Sequence, residues 1–461
     1  MKEIKSKDRH SMTEGSIWKN LFLFSVPLVI SQVLQVLFNM ADIAVVGRFS
    51  GPIALGAVGS TTILVSLFVG FLIGMGSGVN VRVAFRLGQK DDEKVGEAVH
   101  TSFVLCAAAG AIILLICFFC ARPLLALLKT KEELLDGAVL YFKLYALGMP
   151  ALGIFNFGNG VLSAKGDTRR PLFYLTAAGV LNIALNLLFV LVLKMSVDGV
   201  ALASVISQYL SAVLVLIRLF REKGPCGMRL KKIRLYKSEC STILVLGASA
   251  GLQNAIFAIA NLFIQTAVNS FDAVMVEGNS AAANSDALVY NVMAAFYTGC
   301  STFMGQNSGA GNKKRTLKSY FVGLTYSFGI AVLLGALLIV FGDEFLYLFT
   351  KEPEVVEAGL TRLKIMAFSY AVSAFMDCTI AASRGINKTV VPTVIVILGS
   401  CVFRVVWVYT VFARFHTIFS LYSLYFFSWT ITSVAEIIYF AASFKKVKFD
   451  KEKADDPTPA C

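Results

Sequence analysis

The chain has 461 residues, 57% of them hydrophobic and 15% charged, with a formal net charge of +13. A soluble globular protein carries roughly 25% charged residues, so this composition excludes an ordinary water-facing surface, and the surplus of Lys and Arg reads as membrane topology rather than a nucleic-acid footprint. Nine cysteines, whose one CxxC pair (Cys117 and Cys120) lies inside an apolar stretch, and three scattered histidines (His10, His100, His416) speak against a disulfide framework and a zinc or histidine metal centre.

The predicted elements are helices throughout. The first fifteen residues are polar and charged and lack the apolar core of a signal peptide, which predicts a cytoplasmic tail over 1–16. Apolar stretches follow that approach the ~20 residues needed to cross a hydrocarbon layer, beginning with Leu21–Met40 and Phe103–Ala121. An open strand would leave backbone polar groups unpaired in lipid, and the alternation of a porin-type barrel is missing. Twelve spans are predicted, at 17–47, 53–79, 97–121, 139–164, 172–193, 199–220, 240–270, 284–308, 317–341, 360–385, 392–413 and 418–443. With the amino terminus inside, the inside segments hold about three times the Lys and Arg of the outside loops, as the positive-inside rule requires. The expected class is an all-α membrane protein, multi-pass in the cell membrane, with both termini cytoplasmic.

One long polar connection, Arg221–Glu239, sits near the midpoint. It divides the chain into an N-lobe over 17–220 (spans 1–6), a basic cytoplasmic linker over 221–239, a C-lobe over 240–444 (spans 7–12) and a cytoplasmic tail over 445–461. The halves repeat. NMADIAVVG from Asn39 aligns with NLFIQTAVN from Asn261 at an offset of 222, and LGQKDD from Leu87 with AGNKKR from Ala310 at 223. SAKGDTRRP from Ser163 aligns with AASRGINKTVVP from Ala381 at 219 to 221. Units with an even number of spans enter from the same side, so two six-helix lobes should be related by a pseudo-two-fold axis along the membrane normal, with substrate sites near mid-membrane.

Charges inside spans cost roughly 2.5–3.5 kcal/mol on insertion scales, so each needs a reason. Asp42 in the first span ends a row of Gln32, Gln35 and Asn39 whose spacing puts all four on one helix face. Pro27, earlier in that span, removes a backbone hydrogen bond and offers a bend point. Asp42 reads as a protonation or cation switch, or as a structural carboxylate paired with Arg48 or an amide. The fifth span carries Asn182 and Asn186 one turn apart, and the sixth carries Ser204, Ser207 and Gln208. These oxygens suit Na⁺ or a proton held in a network, or simply tie helices together. The seventh span repeats the first in part: Asn254 falls on Gln32, Asn261 on Asn39, and Ile264 on Asp42 with Gln265 beside it. Gln32, Gln35, Asn39, Asn254, Asn261 and Gln265 are therefore candidate substrate-pocket residues. In the C-lobe, Asp377 and Arg404 are the candidate charges, serving transport or pairing with each other. GQNSGAGNKKR at 305–315 lacks the GxxxxGK[ST] spacing and follows a span, so it is no phosphate loop. A transporter built on this chain must be ion-driven rather than ATP-driven.

These landmarks resemble the MATE (multidrug and toxic compound extrusion) transporters from Ile17 to about Phe444. The resemblance rests on NMADIAVVGRFSGPIALGAVG, on SAKGDTRRP followed by GVLNIALNLLFV, and on FMGQNSGAG and SRGINKTVVP in the second half. It implies two six-helix lobes in a V and export of organic, often cationic, compounds by alternating access against entry of H⁺ or Na⁺, with no other cofactor. The chain is similar to the DinF-like branch with an aspartate in the first helix. That likeness implies Asp42 as the coupling acid, Pro27 as the helix bend, and Asn182 and Ser204 as cation-site positions able to hold Na⁺ with Asp42. Asn186 stands where the best-known members carry a second aspartate, which leaves Asp42 as the sole acid. In the other branch carboxylates of the seventh and tenth helices matter; here the former is uncharged and Asp377 lies out of clear register. The implied partners are the lipid bilayer and small organic compounds, with no nucleic acid and no ATP, and a monomer is expected. Two alternatives stand beside this. A flippase for lipid-linked precursors would want a cationic cavity, for which Arg404 is the one firmly intramembrane arginine. A membrane-embedded enzyme would need a cluster such as HExxH or GxSxG, which the sequence lacks.

Overall fold

The structure, a computed structural model, describes residues 12–449. Most of the tail expected over 1–16, with His10, and the end of the tail over 445–461 lie outside the described residues. Among the described residues, twelve long helices carry the chain. The first six are α1 (Ile17–Phe49), α2 (Gly51–Gly88), α3 (Asp92–Leu127), α4 (Glu132–Ala146 and Met149–Ala164, bent by 44°), α5 (Arg169–Val192) and α6 (Val197–Arg221). After the linker come α7 (Lys237–Val268), α8 (Ala273–Gly309), α9 (Lys313–Val340), α10 (Pro353–Gly385), α11 (Val390–Phe415) and α12 (Ile418–Lys446). Among the described residues, ten helices are long and apolar enough to cross a membrane, and the bent α4 makes eleven. The twelfth, α8, is the polar one: it carries Glu277, Asn279, Asn284 and Asp286.

The duplication is written into the backbone. Lys90 (φ 57°) and Gly311 (φ 70°) are left-handed, as are Gly166 (φ 96°) and Asn387 (φ 59°), and Lys194 (φ 56°) and His416 (φ 45°). The members of these pairs stand 221, 221 and 222 residues apart. Positive φ is uncommon for non-glycine residues, so its recurrence at the same place in each half marks a repeated chain path. After the first pair, Asp91 caps α3 by accepting from Lys94 N at 3.1 Å, and Asn312 caps α9 by accepting from Arg315 N at 2.9 Å. This corrects the loop register read from sequence by two residues: Lys90 answers to Gly311, not Leu87 to Ala310. Both α5 and α11 also loosen into π-helical turns, at Leu188–Val192 in one and at Ile397–Val402 and Val408–Phe412 in the other. Such turns concentrate at functional sites.

Each lobe has its own core, around Leu72, Leu125 and Phe142 in the first and Tyr370, Leu421 and Trp429 in the second. The lobes meet at the end of the bundle where α1 begins and α2 ends. There α2 and α7 cross on two GxxxG stretches, Gly74 against Gly251 and Gly78 against Gly247, where a Cβ added at Gly74, Gly78 or Gly251 would strike the facing backbone. Lipid supplies no hydrophobic drive between helices, so such close backbone approach is how they hold together. On the flank, Phe24 of α1 meets Phe303 of α8 edge to face at 5.7 Å, and Thr302 donates to Asn80 Oδ1 at 2.8 Å.

Candidate functional site

In the N-lobe, α1, α5 and α6 bring four polar side chains into one chain of hydrogen bonds. Asn186 Nδ2 donates to Asp42 Oδ1 at 2.5 Å and to Asn182 Oδ1 at 3.3 Å. Asn182 Nδ2 in turn donates to Ser204 Oγ at 3.4 Å. Asp42 is half-buried, and Asn182, Asn186 and Ser204 are buried. Asn182 and Asn186 lie one turn apart on α5, just before its π-helical turn, and Asn186 Oδ1 is buried without a partner among the described residues. The partner of Asp42 is thus an amide. Arg48 is exposed and rests over the ring of its neighbour Phe49. Ser207 turns back to the carbonyl of Ala203 at 2.8 Å and stands apart from the chain of bonds.

Other residues singled out from sequence scatter more. Pro27 is buried inside α1, which continues through it, and Ser31 Oγ donates to Pro27 O at 2.9 Å. Gln32 and Gln35 are half-buried and Asn39 is exposed. Asn254 bridges the seam, its Nδ2 donating to Gly70 O at 2.9 Å. Asn261 and Gln265 are exposed at the mouth of a cavity of about 520 Å³ in the C-lobe, and Gln265 donates to Asn269 Oδ1 at 2.9 Å.

That cavity holds most of the charge that sequence reading missed. Asp286 of α8 accepts from Arg362 Nη2 and from Tyr370 OH of α10. Arg362 also donates to Asn279 O at 2.7 Å and to Asn279 Oδ1 at 2.9 Å. Arg384 donates to Gln253 Oε1 at 2.7 Å. Arg404 is therefore not the one intramembrane arginine. Nor does it pair with Asp377: both line the cavity, and among the described residues no ion pair joins them. Glu436 of α12 is fully buried, with neither oxygen partnered among the described residues. Asp286 and Arg362 escaped notice because the predicted spans started at 284 and 360, which put both at span ends. The helices start at Ala273 and Pro353, which puts both groups inside.

The comparisons with known proteins agree with this architecture. The MatE family pattern matches residues 27–188 and 250–410, one stretch in each lobe. The chain belongs to the MATE family. Its members are membrane transporters rather than enzymes, and this chain is a multi-pass membrane protein of that kind. It is 30% identical over 363 residues to the probable multidrug resistance protein YpnP of Bacillus subtilis, covering 78% of this chain and 81% of that one. It is 25% identical over 359 residues to the FAD transporter of Shewanella oneidensis, covering 76% of this chain and 78% of that one. A MOP superfamily transporter from Pyrococcus furiosus superposes with a TM-score of 0.88 at 21% identity, over 95% of this MATE chain and 98% of the other.

Proposed function

We propose that this chain exports small organic compounds, cations among them, in exchange for inward flow of H⁺ or Na⁺ by alternating access, with both termini in the cytoplasm and the monomer as the working unit. The observation that carries the reading is the contact of Asn186 with Asp42: the acid on α1 is held by an amide on α5, at a π-helical turn. Protonation of Asp42 would cancel the charge that orients Asn186 and loosen α1 from α5, while Pro27 lets α1 bend where a backbone hydrogen bond is missing. The geometry favours the proton over Na⁺. The group facing Asp42 is an N–H donor, the Asn182 oxygen is already taken by Asn186, and only one carboxylate is present. Relatives named as multidrug resistance proteins support organic compounds as cargo.

The flippase alternative draws support from the arginines of the C-lobe cavity. Two of the three are committed, Arg362 to Asp286 and Arg384 to Gln253, which leaves Arg404, bound among the described residues only to the Ser428 hydroxyl, for a two-phosphate headgroup. Export therefore accounts for more of the site.

The test is efflux of a fluorescent organic cation from proteoliposomes with pH and Na⁺ gradients imposed separately. Efflux is expected with the pH gradient alone and is expected to vanish in Asp42→Asn, with the variant still inserted and monodisperse. Full efflux by Asp42→Asn would sink the reading.

A further inference from the structure

The two lobes carry the same scaffold with opposite polarity. Twelve residues before the left-handed Lys194 stands Asn182, and twelve before the left-handed His416 stands Arg404. Each is buried, and each contacts a serine of the helix that follows: Asn182 with Ser204, Arg404 Nε with Ser428 Oγ at 3.3 Å. The position answering to Asp42 is Ile264, which lines the C-lobe cavity. At these two positions the second lobe carries an apolar side chain in place of the acid and a guanidinium in place of a neutral amide, while its own carboxylates, Asp286 and Asp377, stand elsewhere on the cavity wall.

Arg404 is held in an unusual way. Its Cζ lies 4.5 Å from the ring centre of Tyr425, 5.2 Å from Trp429 and 5.7 Å from Phe257. Rings stabilise the π-face of a guanidinium, but hydrogen bonds leave from its edge, in plane. Of that edge Nε is bound to Ser428, and Nη2 is buried with no acceptor among the described residues. Of the two carboxylates that line the cavity, Asp286 is engaged by Arg362 and Tyr370, and among the described residues neither it nor Asp377 forms an ion pair with Arg404. A buried guanidinium that lacks an acceptor leaves a large desolvation cost uncovered, and here it borders a cavity of about 520 Å³, room for a small organic molecule.

We infer that the C-lobe cavity is an anion-accepting substrate subsite, in which Arg404 receives the carboxylate or phosphate of an aromatic compound while the aromatic wall receives its ring. This rests on the reading of the chain as an exporter of organic compounds and narrows its cargo to include aromatic acids. The planar fork of Arg matches a carboxylate or a phosphate equally, so the shared chemistry is what the site selects.

Equilibrium binding to the protein in lipid nanodiscs tests this, with 2-naphthoate set against its neutral analogue 2-naphthamide. The acid is expected to bind about tenfold or more tightly than the amide, as a hydrogen bond to a charged group implies. Arg404→Gln is expected to remove that preference. 2-Naphthyl phosphate is expected to bind as well, and its affinity relative to 2-naphthoate names the preferred acid. Equal binding of acid and amide by the unmodified protein, a preference that survives Arg404→Gln, or inorganic phosphate competing as well as the naphthyl ester would each overturn the inference. Should Arg404→Gln fail to fold, phenylglyoxal labelling of the unmodified protein decides. Arg404 should be modified when free and protected by 2-naphthoate but not by 2-naphthamide; no labelling, or no protection, overturns it. Gradient-driven efflux of a cationic dye tests the export reading separately, so efflux without any acid preference sinks this inference alone.

Discussion

Arg82 and Glu239 form a buried ion pair across the seam between the lobes. Arg82 Nε donates to Glu239 Oε2 at 2.6 Å and Nη2 to Oε1 at 3.1 Å, and Arg86 Nε adds a bond to Oε1 at 3.0 Å. Both arginines come from the last turns of α2, and Glu239 from the first turn of α7. A forked, two-arginine clamp on a fully buried carboxylate is strong in its bonds but weak evidence for net stability, because all three charges were desolvated to make it. What it does supply is a discrete lock: parting the lobes at this end must break it.

Glu239→Gln is expected to weaken that lock. It leaves two guanidinium groups buried without a counter-charge, which costs about 3–5 kcal/mol when a buried pair is broken from one side. Lys90 and Lys313 are exposed at this end, one on each lobe, and can carry spin labels after substitution by Cys. A longer or broader distance distribution in Glu239→Gln is the expected result. An unchanged distribution would mean that the glycine contacts alone hold the seam.

Those contacts set the next expectation. A Cβ at Gly78 would strike the Gly247 backbone, and one at Gly247 would press on Met75, its Sδ at 2.8 Å and its Cα at 3.1 Å. Gly247→Leu is therefore expected to drive α2 and α7 apart and depopulate the closed seam, where Gly329→Leu serves as the control, since a Cβ there meets nothing within 4 Å. Cysteine accessibility along α2 reads the difference. Equal accessibility in the two variants would show that the seam tolerates the bulk.

Much of this was legible beforehand, and the exceptions have physical reasons. Eleven of the twelve long helices follow from apolar length, and the repeat from three landmarks in order. Helix periodicity puts Asp42 on one polar face and Asn182 with Asn186 on another, while Ser204 stands out in sequence only through the family resemblance; the structure joins the four by hydrogen bonds. The seam was not found: a GxxxG stretch is common in apolar helices, and only the facing helix tells whether it is used. The charges at Asp286 and Arg362 escaped for two reasons. A polar helix such as α8 hides its true start from a hydropathy reading, and a buried pair looks, in sequence, like two interface charges.

The Arg362 cluster is expected to be structural. Arg362 bonds Asp286 and both oxygens of Asn279, and Tyr422 donates to the same amide oxygen. Arg362→Ala leaves Asp286 as an uncompensated buried charge, at a cost of about 3–5 kcal/mol. Pairing it with Asp286→Asn removes the stranded charge, so the double variant should melt above the single one. A fluorescence-detected thermal scan in detergent compares them. Strict additivity of the two losses would show that the groups do not act together.

Asn186 offers a gain rather than a loss. It donates to Asp42, so the site presents an N–H where a cation would need an oxygen. Asn186→Asp replaces that donor by a second carboxylate beside Asp42, with Asn182 Oδ1 released from its bond to Asn186. Three oxygens from one half-buried cluster, two of them on carboxylates, make a hard-oxygen set that suits Na⁺. Two acids so close cannot both ionise cheaply without a cation between them, which is the reason Na⁺ should be drawn in. Efflux by Asn186→Asp is therefore expected to become Na⁺-dependent, and Na⁺ is expected to raise its melting temperature while leaving that of the parent protein unchanged. If Asn186→Asp transports with the pH gradient alone and does not respond to Na⁺, the amide is not what excludes the ion.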